Sequence, residues 1–164
     1  VRGSRRFVRA ELRPEDSIAW FPAMSTTSYP ISAYVETLGV RYFARMLSKI
    51  RLHATGSLHP DFVENMGGGL DLRLCDFLRV DYAELATQTL ATTSDEEVLN
   101  WAFGQGRELN ETDKLLWNHY VTKLGWRDQV SESLANRKLS SGLQDRDDIM
   151  TMIEYFEYDE GRKS

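Results

Sequence analysis

The 164-residue chain has a single cysteine, Cys75, so no intrachain disulfide can form and a packed core must carry its stability. A reducing, cytoplasmic setting is the simplest expectation from that count. Only three histidines are present (His53, His59 and His119), with no HExxH pair and no close ligand spacing, although Asp61 and Glu64 lie near His59. That material predicts no metal site. No apolar run approaches the roughly 20 residues needed to span a bilayer. The stretch 17–23 is too short, and too broken by Pro22, for a signal-peptide core. The sequence therefore predicts no membrane insertion. A basic surplus is also lacking: 20 Lys and Arg stand against 25 Asp and Glu, a net charge of −5. A chain of that sign repels a nucleic-acid backbone, so no nucleic-acid partner is expected. No repeat of 20–50 residues is visible, which excludes a solenoid.

What remains is ordinary globular material: 41% hydrophobic, 27% charged and 11% aromatic, enough to build a core. Its first residues stand apart. Residues 1–24 hold five arginines (Arg2, Arg5, Arg6, Arg9, Arg13) against three acids, leaving 15 basic and 22 acidic residues beyond them. Neither a helical nor a strand period persists there. A chain beginning at Val1 is what a GTG start codon translated literally produces, with the true start at Met24. A disordered basic arm and a targeting segment are the competing readings. The acids Glu11, Glu15 and Asp16 argue against targeting. Each reading leaves 1–24 as an extension outside the fold.

From Ser32 onward, amphipathic segments alternate with capping and breaking signals. Leu38, Tyr42, Met46 and Ile50 recur at i+4, with Phe43 and Leu47 widening the stripe, which predicts a helix stopped near Gly56. Pro60 opens a short helical turn to Asn65. Gly67-Gly68-Gly69 then breaks the chain before a short, very apolar helix from Leu70 to Leu78. Asp81 caps the next, and Ser94 with Glu97 forms a capping box for another. Asn110 with Asp113 starts a helix that places Leu116, Tyr120 and Leu124 inward and stops at Gly125. A further helix runs from Asp128 to about Ser141, and a last one begins near Asp145 with Ile149, Met152, Ile153 and Phe156. The expected core combines Leu38, Met46, Ile50, Leu74, Leu78, Leu116, Leu124 and Phe156. The fold class is all-α: one compact multi-helix domain preceded by a disordered N-terminal segment.

Several blocks carry a resemblance: Phe43-Ala-Arg-Met-Leu-Ser-Lys-Ile-Arg-Leu-His53, Ser94-Asp-Glu-Glu-Val-Leu99, Trp101, Phe103, Gly106-Arg107, Trp117-Asn118, Gly125-Trp126-Arg127-Asp128 and Asp145-Arg-Asp-Asp-Ile149. Together they resemble an uncharacterised bacterial family catalogued as domain of unknown function 5069, over about residues 29–161. The resemblance implies a bacterial, cytoplasmic protein whose chain begins near Met24. It implies no catalytic residues.

Functional expectations rest on charge placement. Arg41, Arg45, Lys49 and His53 follow at i+4 on one helix face, with Arg51 beside them, and no acid lies between Glu36 and Asp61. Such a face predicts a positive patch that binds a phosphate or carboxylate, or else a plain solvated face or cations paired internally with the acidic stretch Asp145–Glu160. Gly67, Gly68 and Gly69 precede a helix N-terminus but lack P-loop lysine and spacing, so a plain interhelical turn competes with an anion cradle. If face and turn converge, Arg73 joins them in one anion pocket. Cys75, among Leu72, Leu74, Phe77 and Leu78, reads as an inert core thiol. Trp101, Trp117 and Trp126 read as packing, with a cleft beside Arg107 and Arg127 or a protein interface as the alternatives. The expected function is a binding module for a small anionic ligand or a protein partner, without a cofactor. The alternative is an enzyme using His53 or His119 as acid–base, with arginines holding an anionic substrate.

Overall fold

A computed structural model describes residues 27–164. The extension expected over residues 1–24 lies outside the described residues. Beyond it the chain is built of helices: α1 (Phe43–Ala54), α2 (Leu70–Leu78), α3 (Tyr82–Ala91), α4 (Asp95–Gln105), α5 (Glu111–Lys123), α6 (Ser131–Ser140) and α7 (Met152–Asp159). A 3-10 turn spans Pro60–Asn65, starting at the proline as expected. The all-α reading holds, with one small addition. Glu36–Thr37 and Val40–Arg41 form a two-stranded antiparallel hairpin, β1 and β2, paired Glu36 to Arg41 and Thr37 to Val40.

That hairpin displaces the start of the first helix from Leu38 to Phe43. Leu38 and Gly39 take φ of 47° and 81°, the double left-handed conformation that matches the twist of a two-residue hairpin. Leu38 therefore stands 39% exposed at the turn rather than in the core. Two other expected core residues also move. Leu116 is 60% exposed, because the inward stripe of α5 is Trp117 and Val121, one residue further on. Trp117 fixes that rotation: its indole N–H donates to the Arg41 carbonyl at 3.0 Å and its ring stacks on Phe77 at 5.3 Å. Phe156 is half-buried and packs against the edge of the core. Met46, Ile50, Leu74, Leu78 and Leu124 lie inside it.

Capping side chains set most helix starts. The Asp81 carboxylate accepts from the Ala83 and Glu84 amides, and the Ser94 hydroxyl accepts from the Glu97 amide. Glu97 closes on the Thr92 hydroxyl instead of completing a box with Ser94. Asn110 with Asp113 makes a full reciprocal box. So do Thr151 and Glu154, which start α7 at Met152 and correct the expected start near Asp145. Helix α1 is buried almost all round, from Phe43 through Lys49 and Ile50 except at Ser48, so α3, α4 and the hairpin close over it. Where α4 ends, Gly106 passes so close to α2 that a Cβ there would sit 2.1 Å from the Leu78 carbonyl oxygen. The Arg107 amide donates to that same oxygen at 2.8 Å.

Candidate functional site

The inward turn of α1 carries its cations with it. Arg45 is 1% exposed and Lys49 5%, so neither belongs to a solvated face. The exposed positive patch expected along this helix does not form from them, because burying a charge demands a partner. Arg45 forms a two-pronged salt bridge with Glu160, donates to the Ile31 carbonyl at 2.9 Å, and lays its guanidinium 4.7 Å from the Phe156 ring centre. Lys49 Nζ stands 2.6 and 2.7 Å from the two Asp71 carboxylate oxygens and 3.1 Å from the Tyr42 hydroxyl. Internal pairing with the acidic stretch thus holds for Arg45, while Lys49 takes its carboxylate from α2. Arg41 is on β2, bonded to Glu36 at 2.8 Å.

Burial shapes this polar cluster. Loss of solvent pulls the Lys49 ammonium below the ordinary lysine range, with the Asp71 charge opposing that shift. Burial, followed by the Asp71 charge, pushes the Tyr42 phenol well above its usual value, so it stays protonated and donates to Asp71 Oδ1 at 3.0 Å. Tyr42 holds that position from a left-handed backbone, φ 71°, the residue before α1. The glycine turn supplies the last bond: Gly67 N–H donates to Asp71 Oδ2 at 3.1 Å. Gly67 is required there, since its φ is +71° and a Cβ would approach the Tyr82 ring to 2.8 Å.

Face and turn converge on one cleft of about 650 Å³. Its first wall is α1, contributing Tyr42, Arg45 and Lys49; its second is the turn and α2, contributing Gly68, Gly69, Leu70 and Arg73. Helix α6 faces them with Ser133, Arg137 and Ser140, and α7 with Met152, Tyr155, Phe156 and Asp159, each set spaced by three or four residues along one helix side. Phe62 adds an aromatic rim. Four cationic side chains meet three carboxylates here, Asp61, Asp159 and Glu160. Arg73 bonds the Tyr120 hydroxyl at 2.8 Å, and neither it nor Arg137 forms an ion pair among the described residues.

The other expected site residues lie elsewhere. Arg51 pairs with Asp95 beside a shallow depression lined by Thr89 to Thr93, and His53 is exposed. None of the three histidines lines the cleft; His59 stacks on Tyr29 at 4.8 Å and accepts from the Asp61 amide through Nδ1. Cys75 is buried in the core, where burial pushes its thiol up to about 12. The tryptophans are outside the cleft too, and Arg107 spans Phe77 and Asp113 instead of opening a site beside them. Sequence reasoning missed Tyr42, Asp71, Arg137, Tyr155 and Glu160. Asp71 left a signal, a lone acid just inside an otherwise apolar helix start. The α6 and α7 walls left none, because nothing local says which cleft they face.

The class so defined is a small helical domain with a charged, aromatic-edged cleft. Among the described residues, no group of three or more His, Cys, Asp or Glu is placed to hold a metal, and no helix is long and apolar enough to cross a membrane. The chain belongs to the family described as a domain of unknown function, DUF5069, whose model matches residues 27–162. No curated protein matches it.

Proposed function

We propose that this domain binds a small molecule with an apolar body and an anionic group, held in the cleft between α1, α2, α6 and α7. One observation carries the reading: Arg73 and Arg137 line the same cleft without carboxylate partners, beside the aromatic side chains of Phe62, Tyr155 and Phe156. Its size falls within the range of about 300–1,000 Å³ usual for small-molecule sites. Arg45 and Lys49 form the inner wall and set the field, while the two unpaired arginines take the ligand's charge. The setting belongs to the same reading: a bacterial cytoplasmic protein with a reduced, buried thiol, and no nucleic-acid or membrane partner. A panel of aromatic and aliphatic carboxylates and phosphate monoesters, screened by thermal shift, tests it. A ligand at 100 times its dissociation constant raises stability by about 2.7 kcal/mol. Arg73→Gln and Arg137→Gln should each weaken a hit, and more at low salt than at high. Undiminished affinity in the double variant would remove the cleft as the site.

The enzyme reading moves within the fold. His53 and His119 do not line the cleft; Tyr42 and Lys49 do, with Asp71 bonded behind them, alongside Asp61, Tyr155, Asp159 and Glu160.

A further inference from the structure

An anion site needs cations, but it has no need of a buried ammonium whose neighbours are a carboxylate and a phenol. Lys49 and Tyr42 line the cleft, while Asp71 sits behind them, wholly buried. Three donors converge on Asp71: Lys49 Nζ at 2.6 and 2.7 Å, Tyr42 Oη at 3.0 Å and the Gly67 amide at 3.1 Å. Tyr42 is held there by a left-handed backbone that non-glycine residues seldom adopt, the kind of strain that collects at working sites.

We propose that Lys49 is a nucleophilic amine that condenses with the carbonyl carbon of an aldehyde or ketone bearing a carboxylate or phosphate, bound in this cleft. The inference rests on the small-anion reading, which supplies the ligand's charged end. Asp71 takes one proton from the Lys49 ammonium across the salt bridge. The amine lone pair then forms the C–N bond, and the carbonyl oxygen receives a proton from the Tyr42 hydroxyl, 3.1 Å from Nζ. One of the two remaining N–H protons restores the Tyr42 hydroxyl and the other goes to the departing oxygen, so the C–O bond breaks with loss of water. Overall, a carbonyl compound and an amine give an imine and one water, with both amine hydrogens leaving in the water and no oxidant or reductant required. Burial favours the neutral amine, with Arg45 acting in the same direction and Asp71 and Glu160 opposing. Exposed lysines lack that first advantage.

The test uses the full chain with para-formylbenzoate, an aromatic aldehyde carrying a carboxylate, and sodium cyanoborohydride to reduce any imine to a stable amine. Peptide mass spectrometry should find the adduct on Lys49 before Lys114, Lys123, Lys138, Lys163 and the chain's α-amine. Terephthalate, which carries a second carboxylate in place of the aldehyde, should suppress labelling, and para-tolualdehyde, without the anion, should label slowly. Tyr42→Phe keeps Lys49 and Asp71 in place and should slow labelling without changing the circular dichroism spectrum. Labelling spread over the exposed lysines, or absent from Lys49, overturns the proposal. If terephthalate still raises the melting temperature in that case, the small-anion reading survives alone. If Lys49 labels selectively and terephthalate neither competes nor stabilises, the anion reading falls and the amine remains. An unchanged labelling rate in Tyr42→Phe removes the phenol from the step.

Discussion

Removing Glu160 should be among the most damaging single changes available outside the aliphatic core. Its side chain and that of Arg45 are each 1% exposed, and Glu160 is the only carboxylate paired with Arg45 among the described residues. Glu160→Leu strands a buried guanidinium, with only the Ile31 carbonyl and the Phe156 and Phe62 rings left to receive it. Breaking a buried pair from one side costs about 3–5 kcal/mol. At about 4 °C per kcal/mol for a domain of this size, the melting temperature should fall by about 12–20 °C. The opposite deletion is milder. Arg45→Met leaves Glu160 paired with Arg162, so it should cost about 1.5–3 kcal/mol, the worth of hydrogen bonds to a charged group. Replacing both partners removes the stranded charge, and Arg45→Met/Glu160→Leu should be more stable than Glu160→Leu alone. Urea denaturation followed by circular dichroism, completed as a double-mutant cycle, measures all three. A cost below about 1 kcal/mol for Glu160→Leu, as an exposed pair gives, would refute the reasoning. So would a double variant less stable than either single.

Leu78→Ala should cost about 2–5 kcal/mol, whereas Leu116→Ala, on the exposed side of α5, should stay within about 0.5 kcal/mol; equal costs would mean that the α5 rotation is wrong. The Cys75 thiol, pushed up to about 12 by burial, stays protonated in the fold while an unfolded thiol ionises near ~8.5. Its contribution is therefore complete below that pH and is lost as pH rises. Wild type should lose stability between pH 8 and 10 more steeply than Cys75→Ala, and folded protein should resist iodoacetamide; matching slopes would contradict this. Gly106→Ala places a methyl against the Leu78 and Arg79 carbonyl oxygens, which helix ends cannot yield without moving, so a clear drop in melting temperature is expected. An unchanged melting temperature would show that this close approach is absent in solution.

Local chemistry made much of this fold legible. The apolar helix Leu70–Leu78 and the caps at Asp81, Ser94 and Asn110 are where short-range signals place them, because a cap is satisfied within three residues. The hairpin was hidden because Leu38 and Tyr42 happen to continue the i+4 stripe of α1, and strands of two residues are too short to alternate. Thr151 and Glu154 did carry a readable box; the acids before them drew the helix start too early. The cleft was half legible. Arg45, Lys49, Gly68, Gly69 and Arg73 share two neighbouring segments, and their convergence needed only one turn of chain. The carboxylates that neutralise the two inner cations lie 22 and 115 residues away, a separation that periodicity cannot bridge. Arg137 and Tyr155 face the same space only because α6 and α7 fold back over α1.

The bonds between the two ends of the domain also bear on how it is made. Arg45 reaches Glu160, Ser32 donates to Glu157 at 2.8 Å, and Arg162 donates to the Pro30 carbonyl at 3.0 Å, pairs separated by 115 to 132 residues. Contacts of such separation are the last a chain can form as it leaves the ribosome, and they carry the largest loop-closure cost. Before α7 emerges, Arg45 waits without its carboxylate and the cleft lacks a wall. The cleft is thus a late product of synthesis: it cannot be complete while the nascent chain is still short of α7, and a chain cut before Glu160 would leave Arg45 without its carboxylate while Lys49 keeps Asp71.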